Sequence, residues 1–213
     1  MRYIIVLLFL IFSANANAQW GTTAIKIGYF SPAASNGGLI VGYEGGKEID
    51  RNFTIGWSID WFNKNYVDKK LVSDFNSVYG IGGASVNELR AKTNLHDFPF
   101  MVNLTAHFPA APRVRVNIMG GIGAEVLLIY YRDFQNPDDS NFKGAFDFNW
   151  RIGVGTSYDL GPRSEIFGEL NYHSSAPSWE YEVQDQRTGV NRVFERVFDM
   201  SGIIARIGVR FYY

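Results

Sequence analysis

The sequence predicts an all-β fold, an eight-stranded antiparallel up-and-down β-barrel that crosses a membrane, and three observations carry that prediction. The last stretch, Met200 to Tyr213, alternates with period 2: Ile203, Ala205, Ile207, Val209, Phe211 and Tyr213 share one face, and Arg206, Gly208, Arg210 and Tyr212 the other. Its span matches the roughly 9–11 residues with which a tilted strand crosses a bilayer. The connections between alternating segments are in turn short and long, a sorting for which a soluble sandwich has no reason. Finally, aromatics make up 16% of the chain and it holds 22 glycines, with no apolar run near ~20 residues that would make a spanning helix.

The N-terminus reads as a leader. Arg2 precedes an apolar run, Tyr3 to Phe12, too short to span as a helix, and Ala16-Asn17-Ala18 is the small-x-small pattern of a signal-peptidase site. Residues 1–18 are therefore expected to be a signal peptide cleaved before Gln19, and 19–213 a single barrel domain. No Cys follows the apolar run, which excludes a lipid-anchored N-terminus, and the absence of Cys throughout excludes a disulfide scaffold or a thiol site. Losing Arg2 leaves 19 Lys and Arg against 21 Asp and Glu, a balance that gives no support for nucleic-acid binding.

Seven further segments precede the last one. Thr22 to Ser31 sets Ile25, Ile27 and Tyr29 against Lys26 and Gly28; Gly38 to Gly46 sets Leu39, Val41 and Tyr43 against Gly42 and Glu44. Asn52 to Phe62 alternates Phe53, Ile55, Trp57, Ile59 and Trp61 with Thr54, Ser58 and Asp60. Leu95 to Phe108 opposes Phe98, Phe100, Val102 and Leu104 to Asp97, Asn103, Thr105 and His107, and Arg113 to Tyr131 opposes Val116, Ile118, Ile122 and Val126 to Arg115, Asn117 and Glu125. Phe146 to Leu160 is the most regular, with Phe148, Trp150, Ile152 and Val154 opposite Asp147, Asn149, Arg151 and Asp159. Glu165 to His173 places Ile166, Leu170 and Tyr172 opposite Glu165, Glu169, Asn171 and His173.

Between them Gly46–Asn52, Pro109–Arg113 and Gly161–Ser164 are short and turn-rich, while Asn63–Asn94, Arg132–Ala145 and Ser174–Asp199 are long and polar. With a periplasmic N-terminus every short turn falls on one side of the membrane and every longer loop, including Pro32–Gly37, on the other. A barrel of eight strands has an interior just wide enough to be filled by side chains. It cannot house the rings of Trp57, Trp61, Phe148 and Trp150, so the apolar face must look at lipid. The polar face then fills the lumen with a charge network of Lys26, Glu44, Asp60, Glu125, Asp147, Arg151, Glu165, Glu169, Arg206 and Arg210, both signs in similar number. Antiparallel pairing expects Glu169 and Glu165 to be the acids nearest Arg206 and Arg210, with Glu44 one strand further round. Arg210→Ala is expected to destabilise the barrel, and Arg187→Ala, in the last loop, to be nearly silent.

The chain resembles the small eight-stranded outer-membrane β-barrel proteins of the outer-membrane protein A and X type. The resemblance rests on Asp97-Phe98-Pro99-Phe100, Met119-Gly120-Gly121-Ile122-Gly123-Ala124, Arg151-Ile152-Gly153-Val154-Gly155 and the terminal Ile207-Gly208-Val209-Arg210-Phe211-Tyr212-Tyr213. It implies residence in the outer membrane, contact with outer-membrane lipid and lipopolysaccharide, and handling by the barrel assembly machinery and periplasmic chaperones. Gly208, Phe211 and Tyr213 would be the C-terminal assembly signal, with Tyr213 where Phe is commoner.

Candidate chemistry is sparse, and no cofactor, metal or catalytic residue is expected. Glycines 120, 121, 123, 153 and 155 open no helix, so they relieve crowding in curved strands rather than cradle phosphate. His173 and Ser175 have the His-x-Ser spacing of lipid A deacylases, with Glu182 or Glu195 to orient the imidazole. Ala176 stands where that family carries Asn, and strand parity turns His173 towards the lumen, which favours a histidine hydrogen-bonded at the loop base. In the last loop Trp179–Val183 and Val190–Phe198 alternate around Asp185–Gly189, either as membrane strands protruding in a hairpin or as an exposed edge that recruits an extracellular partner. The expected function is a non-enzymatic envelope scaffold with binding loops. The alternatives are a narrow channel or hydrophobic-ligand transporter, and a lipid A deacylase-like enzyme.

Overall fold

The computed structural model describes residues 21–50, 52–67, 92–132, 140–184 and 191–213. The predicted signal peptide, the Asp185–Gly189 turn with Arg187, and most of the Asn63–Asn94 loop lie outside the described residues.

Among the described residues ten strands follow in chain order: β1 Thr22–Pro32, β2 Gly38–Glu48, β3 Phe53–Val67, β4 Lys92–Ala111, β5 Val114–Arg132, β6 Ser140–Gly161, β7 Ser164–Ser174, β8 Ser178–Gln184, β9 Asn191–Val197 and β10 Gly202–Tyr212. Eight close into an antiparallel barrel in which β10 lies between β7 and β1, and β8 and β9 pair separately with each other. The seam is formed by the terminal strand, whose register with β1 runs from Thr22↔Tyr212 to Pro32↔Gly202.

Successive side chains of a strand point to opposite sides of the sheet. The alternation therefore becomes an outside and an inside: Ile25, Trp57, Val102, Ile122, Trp150 and Ile207 are exposed on the outer surface, and Lys26, Ser58, Glu125, Arg151 and Arg206 are buried within. A belt of exposed Ile, Val, Leu, Phe and Trp running round the whole barrel has no stable place in water. It is the surface of a protein that sits in lipid, where a closed barrel leaves no unpaired strand edge.

One sequence expectation is corrected here. The strands β3, β4, β5 and β6 run to 15, 20, 19 and 22 residues against 11 for β1, β2, β7 and β10. Residues 63–67, 92–94 and 140–145, read as loop, continue the ladder. Beyond the lipid both faces meet water, so the alternation stops while backbone pairing goes on. The last connection, for which the sequence left open a protruding hairpin or a recruiting edge, prolongs the β7–β10 hairpin: Gly202 pairs with His173 and Val197 with Ser178 in one register, and between them the Met200 N–H donates to the Ser175 carbonyl (3.0 Å) and the Phe198 N–H to that of Pro177 (2.9 Å).

The turns opposite this tall rim are short for local reasons. Asp50 Oδ1 accepts the backbone N–H groups of Asn52 (2.7 Å) and Phe53 (2.9 Å), closing the β2–β3 turn. Ala111 faces Val114 across the two-residue turn Pro112-Arg113, in which proline fixes a negative φ at the first position and Arg113 takes φ 65°, the left-handed conformation a type II turn has at its second. In β10, a Cβ on Gly208 would stand 2.6 Å from the Phe167 ring and 2.7 Å from the Ile25 carbonyl oxygen. Within the barrel Gly208 thus makes room for an inward ring.

Candidate functional site

The inward residues are layered. Nearest the turns, Asn117 Oδ1 lies 2.8 Å from Nδ1 of His107, whose Nε2 lies 2.9 Å from Thr54 Oγ1. Beside them Arg115, on β5, reaches Asp159 at 2.9 Å, the Tyr212 hydroxyl at 3.0 Å, and Glu165.

The middle of the lumen holds the ion pairs. Arg210 donates to Glu44 at 2.8 Å and to Glu165, with its guanidinium 4.8 Å from the centre of the Phe167 ring. Lys26 meets Glu44 at 2.7 Å and Glu169 at 3.5 Å. Arg206 gives its Nε to Glu169 at 2.6 Å and its Nη1 to Asp60 at 2.6 Å, and Asp60 takes Nη1 of Arg151 at 2.7 Å with its other oxygen. Strand pairing places Arg206 opposite Glu169 and Arg210 opposite Glu165. Asp60 is different, since it joins β3 to β6 and β10 across the hollow. It reaches so far because its neighbour on β2 is Gly42, where a Cβ would run into the Asp60 carboxylate.

Above Arg151 the chemistry changes. Glu125 takes the Ser175 hydroxyl at 2.7 Å on one oxygen and His173 Nε2 at 2.7 Å on the other, and Asp147 accepts the backbone N–H of Ala176 at 2.6 Å. Glu125 and Asp147, expected to pair with lumenal cations, instead meet donors of the loop base that returns over this end of the barrel, and neither makes an ion pair with Lys or Arg among the described residues. Asp97 is fully buried in the same half of the lumen.

At the loop end the lumen is apolar, which strand alternation alone did not bring out. Phe30, Ile40, Phe62, Leu95, Leu127, Ile129 and Ile204 sit on the same inward parity as the charges but two or four residues nearer the loops, and Met200 and Phe198 close over them from the last connection. Phe30 packs edge-on against Phe62 at 5.1 Å and against the His173 ring at 5.8 Å. Each such side chain taken wholly out of water stabilises by about 1.5–3 kcal/mol. The described cavity in the lumen, bounded by Lys26, Arg151, Arg206 and Arg210 and by Gly120 and Gly121, measures ≈ 10 Å³, room for about one water.

His173 and Ser175 do not form a nucleophile and base with each other, because Glu125 holds both. The side chains of Glu182 and Glu195 lie outside the described residues. Arg115, Asp159, Tyr212 and Asp97 belong with the lumenal groups and were missing from the sequence-based network, although their positions in the alternation were the signal.

No family model matches the chain, and no curated protein matches it. Solved structures share its fold. A major outer membrane protein from Thermus thermophilus aligns with TM-score 0.58 at 12% identity over 90% of this chain and 98% of its own. Neisserial surface protein A aligns with TM-score 0.50 at 12% identity over 90% of this chain and 96% of its own. The architecture is thus that of the small eight-stranded outer-membrane barrels.

Proposed function

We propose that the protein is a non-enzymatic scaffold of the bacterial outer membrane, exported by its leader and presenting its loops at the cell surface. The observation that supports this best is how the described side chains occupy the lumen, with ion pairs in the middle and a packed apolar layer beneath the loops. Such a barrel works by what it holds outside, namely the tall β3–β6 rim and the β8–β9 sheet, to which an extracellular partner would dock. The two structural relatives, one a surface protein and one a major outer membrane protein, agree with this location. Lipopolysaccharide would surround the barrel, and the assembly machinery and periplasmic chaperones would deliver it through Gly208, Phe211 and Tyr213.

A hydrophobic-ligand transporter is the second reading, favoured by the apolar inner layer at the loop end. The deacylase reading is not favoured, because both of its side chains are buried on Glu125 inside the lumen. Planar-bilayer recording separates scaffold from channel. The purified barrel in molar KCl is expected to give no reproducible conductance steps, and discrete, repeatable steps would replace the scaffold with a pore.

A further inference from the structure

The charged middle of the lumen is not solid. Against the β4–β5 wall lies the cavity of ≈ 10 Å³, where Gly121 stands at an inward position and brings no side chain to fill it. Lys26 of β1 and Arg206 and Arg210 of β10 border it from the strands across the barrel, and Arg151 from β6, directly opposite Gly121 in the ladder. These four cations are at most 5% exposed. Glu44 is the one acid in the lining. Asp60, Glu165 and Glu169, which pair with the same cations, form no part of it. The wall of the cavity therefore holds four positive charges and one negative, although the four cations have four acids among their partners.

Buried charge is tolerated only where it is paired and hydrogen-bonded. A guanidinium presents more N–H groups than the one or two that each arginine here gives to carboxylates. Nε and Nη2 of Arg151 and Nε of Arg210 have no hydrogen-bond partner among the described residues. Glu44 has no oxygen to spare for them, since it takes Lys26 on one and Arg210 on the other. A water beside this wall would add hydrogens to a place already rich in donors. An anion brings acceptor capacity alone, together with the opposite charge in a region of low dielectric. Room for about one water shuts out polyatomic anions and leaves a monatomic one. We infer that this cavity is a binding site for a single halide ion, held by Lys26, Arg151, Arg206 and Arg210. The ion joins Arg151 to the cations across the hollow, a link parallel to the one that Asp60 makes from β3. This rests on the geometry of the lumen and not on the proposed role of the loops, so its failure would leave the scaffold reading standing.

Urea unfolding and refolding in detergent tests it, in sodium chloride, sodium bromide and sodium gluconate at equal concentration. Both halides are expected to raise the urea midpoint above that in gluconate, which is too large for the cavity. The ratio of folded to unfolded barrel should rise about tenfold when chloride is at about ten times its dissociation constant. Equal midpoints in chloride and gluconate would overturn the site and leave water as its occupant. Thr105, on the cavity wall, belongs to no ion pair, so Thr105→Leu fills the space without removing a charge. This variant should lose the difference between chloride and gluconate, and a full halide response in it would overturn the proposal by placing the ion elsewhere. If Thr105→Leu lacks the heat-modifiable gel shift of a folded barrel, crystals of the wild type refolded in bromide decide. The anomalous signal of one bromide is expected in the lumen within reach of Lys26, Arg151 and Arg206, and no signal there refutes the proposal.

Discussion

Asp60→Ala is expected to destabilise the folded barrel by about 3–5 kcal/mol, the cost of leaving buried charge uncompensated. Asp60 is 1% exposed and takes one guanidinium on each oxygen. Arg206 would keep Glu169, but Arg151 would keep none of its ion pairs among the described residues, and its Nε and Nη2 already have no hydrogen-bond partner there. Arg210→Ala should cost less than Asp60→Ala, because Glu44 keeps Lys26 and Glu165 keeps Arg115. The check is urea unfolding in detergent, followed by the loss of the heat-modifiable band. Adding Arg151→Met to Asp60→Ala should restore part of the loss, since it removes the stranded cation, and the double-mutant cycle isolates that coupling. A single Asp60→Ala variant within about 1 kcal/mol of wild type would mean that the acid is solvated and that the centre of the lumen is not closed.

Ile207→Arg should cost about 2–4 kcal/mol in lipid vesicles, the penalty for arginine on the lipid face at the bilayer midplane. Ile207 is the sixth of the 11 residues of β10 and is 63% exposed, between Ile27 of β1 and Gly168 of β7. The neighbouring Arg206 shows how strict the parity is, for it is buried and twice paired one residue away. A water-facing surface would accept the same arginine with little change. Guanidinium titration of the variant in phosphatidylcholine vesicles therefore tests the inside–outside assignment itself, and unchanged stability would reverse it.

How much of this was readable in one dimension depends on which quantity is local. Whether a side chain points in or out is set by strand parity, which needs no partner strand. That is why the alternation in the sequence assigned Lys26, Glu44, Asp60, Arg151, Glu169, Arg206 and Arg210 to the lumen, and Trp57, Trp150 and Ile207 to the surface. Neighbouring strands were also accessible, since consecutive antiparallel segments pair and the ends must meet to close a barrel. This named Glu169 and Glu165 as the acids nearest Arg206 and Arg210, and the closed barrel then pairs Arg206 with Glu169 and Arg210 with Glu165.

What lies across the hollow was not accessible. Asp60 meets Arg151 and Arg206 from 91 and 146 residues away in the chain, along a direction set by strand tilt and by the missing side chain at Gly42. The same holds for the loop end, where Phe30, Ile40, Phe62 and Leu95 occupy inward positions that alternation alone marks only as strand ends. Their meaning as a layer appears when seven strands and the last connection bring them to one height. Ser175 and Ala176 turn Glu125 and Asp147 away from the cations because the returning chain puts neutral donors within 2.7 Å of them. Parity is a property of one strand, whereas height in the lumen and contact across it belong to the closed barrel, and only the tertiary structure decides them.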